Sequence, residues 1–163
     1  MSGEPPVAGL RGGLARVSFL LGAAALLSQM VADAVSVIGR HVNHPFLGAI
    51  EIVQACVVVA SSSAMVGATL SGAHATVHIL LERVSPRARR GLEALGDLTG
   101  ALSFAFLAAG SLWIVHDLWG GREQSELLGL PIMPLRLFWC ASAVLMVTLF
   151  ASRMVTRLTE PNE

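Results

Sequence analysis

SGAHATVHILLERVSPRARR, residues 71–90, is the polar segment around which the rest of the chain is arranged. It separates two pairs of long apolar runs and holds four of the eleven basic residues, Arg83, Arg87, Arg89 and Arg90. Basic clusters beside membrane spans stay on the cytoplasmic side of the bilayer. The segment therefore predicts two transmembrane hairpins joined by a cytoplasmic connection.

The composition indicates a membrane protein. Of the 163 residues, 54% are hydrophobic and 13% are charged, and the mean hydropathy is +0.68, whereas roughly a quarter of the residues of a soluble domain are charged. The net charge is zero, and the arginines cluster at the ends of apolar runs. This distribution reports membrane topology and argues against a nucleic-acid partner. Cys56 and Cys140 lie inside apolar runs, so neither a disulfide framework nor a CxxC site is predicted.

Four apolar runs are long enough to cross a bilayer, which takes roughly 20 residues of helix. They cover residues 14–38, 48–70, 94–119 and 134–156, within a single membrane domain of residues 1–163. A cleavable signal peptide is the alternative interpretation of the first run. Because the apolar core of a signal peptide usually has about 7 to 15 residues and this run is longer, we interpret it as a span.

Residues 73–85 predict an amphipathic helix that lies along the cytoplasmic membrane surface. This segment is too short and too charged to cross the bilayer. Its apolar residues recur on one helical face and its polar residues on the other, the apolar set being Ala73, Val77, Leu80, Leu81 and Val84. Ser85-Pro86 then predicts the start of the third helix, with serine as the N-cap and proline in the first turn. The predicted fold class is an all-α membrane protein with four transmembrane helices and this surface helix between spans 2 and 3.

The arginines also set the orientation of the spans. Eight fall on the side of residues 71–90, and three, Arg40, Arg122 and Arg136, fall on the opposite side. Since basic residues accumulate in the cytoplasm, both termini are predicted to be cytoplasmic. The three tryptophans map to the outer interface, where amphipathic rings concentrate.

Ionisable groups inside a span are costly and are functional candidates. Asp33 lies five residues before the end of the first span, Arg40 follows two turns later, and Glu51 enters from the second span. We expect these three side chains to cluster near the outer surface, with Arg40 and Glu51 as the pair that stabilises the first hairpin. A direct role of Asp33 in transport is the alternative.

Small residues mark a possible helix contact in the second span. Ala60, Ala64 and Ala68 recur every four residues, and small residues at this spacing let helices approach closely in lipid. This stripe is therefore a candidate packing or interface face.

The histidines do not predict a metal or haem site. His74 and His78 have the i, i+4 spacing of helical metal ligands, but no third ligand accompanies them, so we interpret them as solvated. No nucleophile motif, phosphate loop or carboxylate pair occurs. No catalytic, cofactor-binding or metal-binding residue is predicted, and His74 and Arg83 remain candidate structural or interface residues.

Several motifs occur in a particular order along the four spans: Arg40, Pro45 and Glu51; Gly72-Ala73-His74; the basic turn Pro86 to Arg90; and Ser125 to Pro131, SELLGLP. In this order the chain resembles the DctQ-type small membrane subunit of tripartite ATP-independent periplasmic (TRAP) transporters, over nearly its whole length. The resemblance implies a location in the bacterial inner membrane. It also implies a large membrane subunit, which carries the substrate and sodium sites, and a periplasmic substrate-binding protein.

The resulting prediction is a non-catalytic small subunit that scaffolds the large subunit of a sodium-coupled transporter for organic acids. It binds no cofactor of its own. Two alternatives come from other classes: a haem-bearing four-helix anchor of a redox enzyme, and a small self-contained oligomeric carrier.

Overall fold

The computed structural model describes residues 6–71 and 85–159. Each helix in these ranges contains an apolar window long enough to cross a bilayer, which confirms the predicted all-α, four-span fold class. Residues 73–84 of the predicted surface helix, including His74 and Arg83, lie outside the described residues. The four helices are α1 (Pro6–His41), α2 (Ala49–Ser71), α3 (Pro86–Asp117) and α4 (Met133–Thr159).

The helices extend beyond the predicted spans. α1 begins at residue 6 and α4 continues to residue 159, whereas the corresponding apolar runs cover residues 14–38 and 134–156. An apolar run marks only the part of a helix that fits the hydrocarbon layer, and backbone hydrogen bonding continues into polar sequence. At 1.5 Å per residue, α3 is about 48 Å long and exceeds the ~30 Å hydrocarbon layer.

The start of α3 agrees with the prediction from Ser85-Pro86. The Ser85 hydroxyl accepts a hydrogen bond from the Ala88 backbone N–H at 3.4 Å, and Pro86 lies in the first turn. This contact satisfies one of the free N–H groups at the helix start. One turn further, Arg89 pairs with Glu93 at 3.0 Å, as expected for opposite charges four residues apart.

The helices pack in the order α1, α2, α4, α3. The main contacts join α1 to α2, α2 to α4, and α4 to α3, so α2 and α4 form the central pair. The buried cluster that joins α2, α3 and α4 consists of Val66, Ala108, Ala143 and Met146.

α1 and α3, the first and last helices in this packing order, leave large apolar side chains exposed. α1 exposes Phe19 and Met30, and α3 exposes Phe106 and Trp113, each by more than half of its surface. Lipid tails are as apolar as these side chains, so exposure inside a bilayer carries no hydrophobic penalty. These faces are therefore surfaces for lipid or for a membrane partner.

Small residues line the contact between α1 and α2. A Cβ on Gly22 would lie 3.5 Å from the Cβ of Ser63, and a Cβ on Gly67 would lie 4.0 Å from that of Ser18. Ala64 is exposed, whereas Ala60 and Ala68 are partly buried. The side chains at the contact belong to positions 63 and 67, each one residue before an alanine of the stripe, and the Ala60 carbonyl lies 4.0 Å from the Cβ position on Gly22. The alanine stripe stays a prediction.

The contact between α3 and α4 is tight at one glycine. A Cβ on Gly100 would lie 2.7 Å from the ring of Phe150, which is closer than real Cβ contacts. The Phe150 ring also stacks on Phe104, with ring centroids 5.8 Å apart. Gly100 therefore determines how closely the two helices approach.

The predicted reversal between the first two spans is present. The Val42 N–H donates to the Ile38 carbonyl at 3.1 Å, and the His44 N–H donates to the Gly39 carbonyl at 2.8 Å. Asn43 takes a positive φ of 61°, a conformation that asparagine tolerates better than most residues. These bonds end α1 and return the chain into α2.

Candidate functional site

Glu51 is a carboxylate buried at the end of the bundle where α2 begins. It lies in the first turn of α2 and exposes 8% of its surface. The positive end of the helix dipole favours a negative charge at this position. Its partners decide what the buried charge does.

The loop between α3 and α4 donates three hydrogen bonds to this carboxylate. The Ser125 hydroxyl and the Leu128 N–H donate to Oε2, and the Leu127 N–H donates to Oε1, each at 2.7 Å. Such short distances are typical of charge-assisted hydrogen bonds. Since two of the donors are backbone groups, Glu51 recognises the conformation of the loop.

The loop is closed by its own hydrogen bonds. The Ser125 N–H donates to the Leu130 carbonyl at 3.0 Å, and the Gly129 N–H donates to the Ser125 carbonyl at 3.2 Å. The Ser125 hydroxyl also accepts from the Leu130 N–H at 2.9 Å. Gly129 has a φ of +65°, which glycine adopts without the steric cost of a Cβ. An antiparallel bridge between Gln124 and Pro131 closes the base of the turn. The turn therefore directs its N–H groups towards Glu51.

Gly48 leaves the room that this contact needs. A Cβ at Gly48 would lie 2.7 Å from side-chain carbons of Leu128. A larger residue would displace Leu128, whose N–H is one of the three donors.

The other end of the loop is tied to α4. Arg136 pairs with Glu123 at 2.7 Å, and the Ile132 N–H donates to the Glu123 carbonyl at 3.2 Å. Below this pair, the Trp139 Nε1–H donates to the Ser111 hydroxyl at 3.0 Å, which joins α4 to α3. This end of the bundle is thus linked across α2, α3 and α4.

A partly open cavity of about 230 Å³ lies beside Glu51, between α2, α4 and the loop. Most of its lining is apolar, and its charged residues are Glu51 and Arg136. Both charges already have partners, since Glu51 accepts from the loop and Arg136 pairs with Glu123. Among the described residues that line the cavity, no cation is free to bind an organic anion.

The C-terminal end of α2 is also held by α4. The guanidinium of Arg153 donates to the carbonyl of Thr69 and, at 3.4 Å, to that of Leu70. These are among the last carbonyls of α2, which have no partner within the helix, and a basic group is favourable there. The central pair is therefore joined by polar contacts at both ends.

The expected cluster of Asp33, Arg40 and Glu51 is not formed. Asp33 and Arg40 are exposed on α1, and neither takes part in an ion pair within residues 6–71 and 85–159. The predicted pair of Arg40 and Glu51 is wrong because the carboxylate turns to the loop, which supplies three donors.

Sequence reasoning missed two polar contacts. Both Glu51 and residues 125–131 stood out as motifs, but 74 residues separate Glu51 from Ser125, and nothing in their spacing shows that they meet. The contact of Arg153 with Thr69 spans 84 residues. The turn sequence carried no specific signal for the first contact, because every non-proline residue has a backbone N–H group.

The chemistry of this site is structural. Among the described residues, no group of three histidine, cysteine, aspartate or glutamate side chains could hold a metal ion. His41 is the last residue of α1, His44 lies in the loop between α1 and α2, and His116 lies in the last turn of α3. The arrangement joins helices to a loop and presents no nucleophile activated by a base.

The comparisons with known proteins agree with this architecture. A family model described as "Tripartite ATP-independent periplasmic transporters, DctQ component" matches residues 30–160. This range includes Glu51, the 125–131 loop and Arg153. Neither the curated proteins nor the solved structures gave a match.

Proposed function

The chain belongs to the DctQ family of tripartite ATP-independent periplasmic transporters, and from this premise we propose that it is the small, non-catalytic subunit that scaffolds a larger transport subunit. The family makes it a transport component, and its four apolar helices make it a multi-pass membrane protein. The scaffold role, the partners and the energy source are the proposal.

In the proposed complex, the large membrane subunit binds and moves the substrate, and a periplasmic binding protein delivers it. The substrate class is an organic acid, and a sodium gradient drives uptake. The complex lies in the bacterial inner membrane with both termini of this chain in the cytoplasm. The excess of arginine on one side of the spans supports this orientation.

The main support for the scaffold role is that the buried carboxylate of Glu51 already accepts its hydrogen bonds from the loop. Carriers of anions typically use broken helices whose N-termini face the substrate at mid-membrane. Here α1 to α4 are continuous over their described lengths, and Glu51 is committed to the loop. A bundle fixed at both ends of α2 suits a static support.

Uptake in proteoliposomes tests the proposal. With a sodium gradient and the binding protein supplied, we expect uptake only when the large subunit and this chain are both present. Omitting the sodium gradient or the binding protein from the complete set should abolish uptake. Accumulation by this chain without the large subunit would overturn the scaffold role and support the self-contained carrier.

The haem-anchor alternative has its own readout. A haem-bearing subunit purified from the membrane shows a Soret band, whatever its partners. We expect no such band from the purified complex, and a stoichiometric Soret absorbance would replace the proposal by a redox function.

A further inference from the structure

Asp33 is a charged residue inside a span, and the fold leaves it without a partner. It lies on α1, is exposed, and forms no ion pair within the described part of the chain. Charged side chains in transmembrane helices almost always face protein or a water-filled cavity, because exposure to hydrocarbon is costly. The charge of Asp33 therefore requires a neighbour that residues 6–71 and 85–159 do not supply.

α1 has three faces with different character. The face towards α2 carries small residues at heptad spacing, among them Ser18, Gly22 and Ala25. A second face is exposed and wholly apolar, formed by Leu20, Leu27, Val31 and Ile38. A third face lies one residue after each position that contacts α2, and it carries both charges of this region. We call this face the α1 flank, and it consists of Phe19, Leu26, Met30, Asp33, Val37 and Arg40.

The exposed face of α2 continues the α1 flank. It includes Val57 and Ala64, and Ala64 follows the contact residue Ser63 by one position. In two antiparallel right-handed helices, the positions that follow the contact by one residue lie on the same side of the pair. The α1 flank and this face of α2 therefore form one surface.

The register of α1 and α2 fixes the depth of Asp33. The contacts of Gly22 with Ser63 and of Ser18 with Gly67 set this register. It places Asp33 level with Ile52, in the first turn of α2. Small residues together with polar groups are the composition of contacts between transmembrane helices.

We propose that this surface, centred on Asp33, docks a transmembrane helix of the large subunit that carries a basic side chain level with Asp33. The inference rests on the proposed function, which supplies the membrane partner. Lipid is a poor occupant because it would leave the carboxylate in hydrocarbon, and the wholly apolar face of α1 suits lipid instead. A second copy related by a two-fold axis along the membrane normal would bring two carboxylates to the same depth with no cation level with them.

Cross-linking from two matched positions tests which face docks. Met30 on the flank and Leu27 on the apolar face are exposed to the same extent, 62% and 60%, and lie one turn apart. Each is replaced by cysteine in a chain whose Cys56 and Cys140 are alanine, and a benzophenone is attached. We expect Met30→Cys to cross-link the large subunit and Leu27→Cys to give lipid adducts only. Cross-links from Leu27→Cys alone, or a product of two copies of this chain from Met30→Cys, would overturn the proposal.

Removing the charge separates docking from folding. Asp33→Leu should lower recovery of the large subunit with tagged small subunit by roughly tenfold or more, the usual effect of truncating one member of a buried charged pair. Insertion and thermal stability of the small subunit alone should stay the same or rise, since a charge leaves the span. Equal losses in the complex and in the isolated subunit would show that Asp33 acts within this chain, against the proposal.

The wild-type control distinguishes the two levels of inference. If wild-type small subunit recovers no large subunit, the proposed function fails and the docking surface fails with it. If the wild type recovers it and the Asp33→Leu variant recovers as much, only the docking surface is wrong.

Discussion

At the scale of single residues, Glu51 shows how a charge in an apolar protein is made tolerable. The carboxylate accepts hydrogen bonds from one hydroxyl and two backbone N–H groups at 2.7 Å, and these donors stabilise its negative charge. The donors gain as well, because a buried N–H without an acceptor is costly. The residue and the loop therefore stabilise one another, and either one alone would be unfavourable at this position.

Glu51→Gln should loosen the loop without unfolding the bundle. The amide has one acceptor oxygen in place of two and no charge, so the N–H of Leu127 or Leu128 loses its acceptor. We expect hydrogen exchange at these two amides to be roughly tenfold faster, measured on the subunit in lipid nanodiscs. Glu126→Gln, in the same loop but exposed, is the matched control and should leave the exchange unchanged. Unchanged exchange in Glu51→Gln would show that the loop holds its shape by itself.

At the scale of elements, neighbouring helices approach closely at glycines, and one of these, Gly100, has no room for a side chain. In lipid, close backbone approach replaces much of the driving force that the hydrophobic effect gives in water. Gly22 and Gly67 serve this purpose between α1 and α2, and Gly100 serves it between α3 and α4. The ring of Phe150 fills the space that a Cβ on Gly100 would need.

Gly100→Ala should destabilise the isolated subunit by about 1–3 kcal/mol, the usual cost of an overpacked contact. The measurement is the midpoint of reversible unfolding in mixed detergent micelles. Gly110→Ala is the control, because a Cβ at that position meets open space, and its effect should be neutral or stabilising by up to about 1 kcal/mol. A double variant with Phe150→Leu should recover part of the loss. If the two alanine substitutions shift the unfolding midpoint equally, helix propensity and not the contact with Phe150 explains the shift.

At the scale of the whole molecule, α1 and α3 lie at the two ends of a row whose centre is α2 and α4. The central pair is joined through Glu51 at the N-terminal end of α2 and through Arg153 at its C-terminal end. Each end helix has one main neighbour and large exposed faces. This arrangement gives a stable centre with wide lateral surfaces, which is what a subunit that supports a larger partner needs.

The orientation of the row is testable with impermeant thiol reagents. Glu126→Cys should react from the outside and Ser85→Cys should be protected until the membrane is opened, because arginine-rich segments stay in the cytoplasm. Both native residues are exposed, which makes the pair comparable. Ser125 is unsuitable as a reporter, since its hydroxyl bonds Glu51. The reverse labelling pattern would invert the topology and place the 125–131 loop in the cytoplasm.

The sequence by itself determined the class of protein, the four helices and the start of α3. Apolar length and the Ser85-Pro86 cap are local signals, and each acts through neighbouring residues only. Tertiary structure decided which helices are neighbours, which face of α2 is buried, and what Glu51 and Arg153 bind. Those contacts join residues 74 and 84 positions apart, and in a span where nearly every residue is apolar no periodic pattern distinguishes a protein face from a lipid face. Arg40 and Glu51 therefore suggested a pair by charge alone, while the carboxylate was bound by backbone N–H groups, which every sequence contains and whose direction only the folded loop defines.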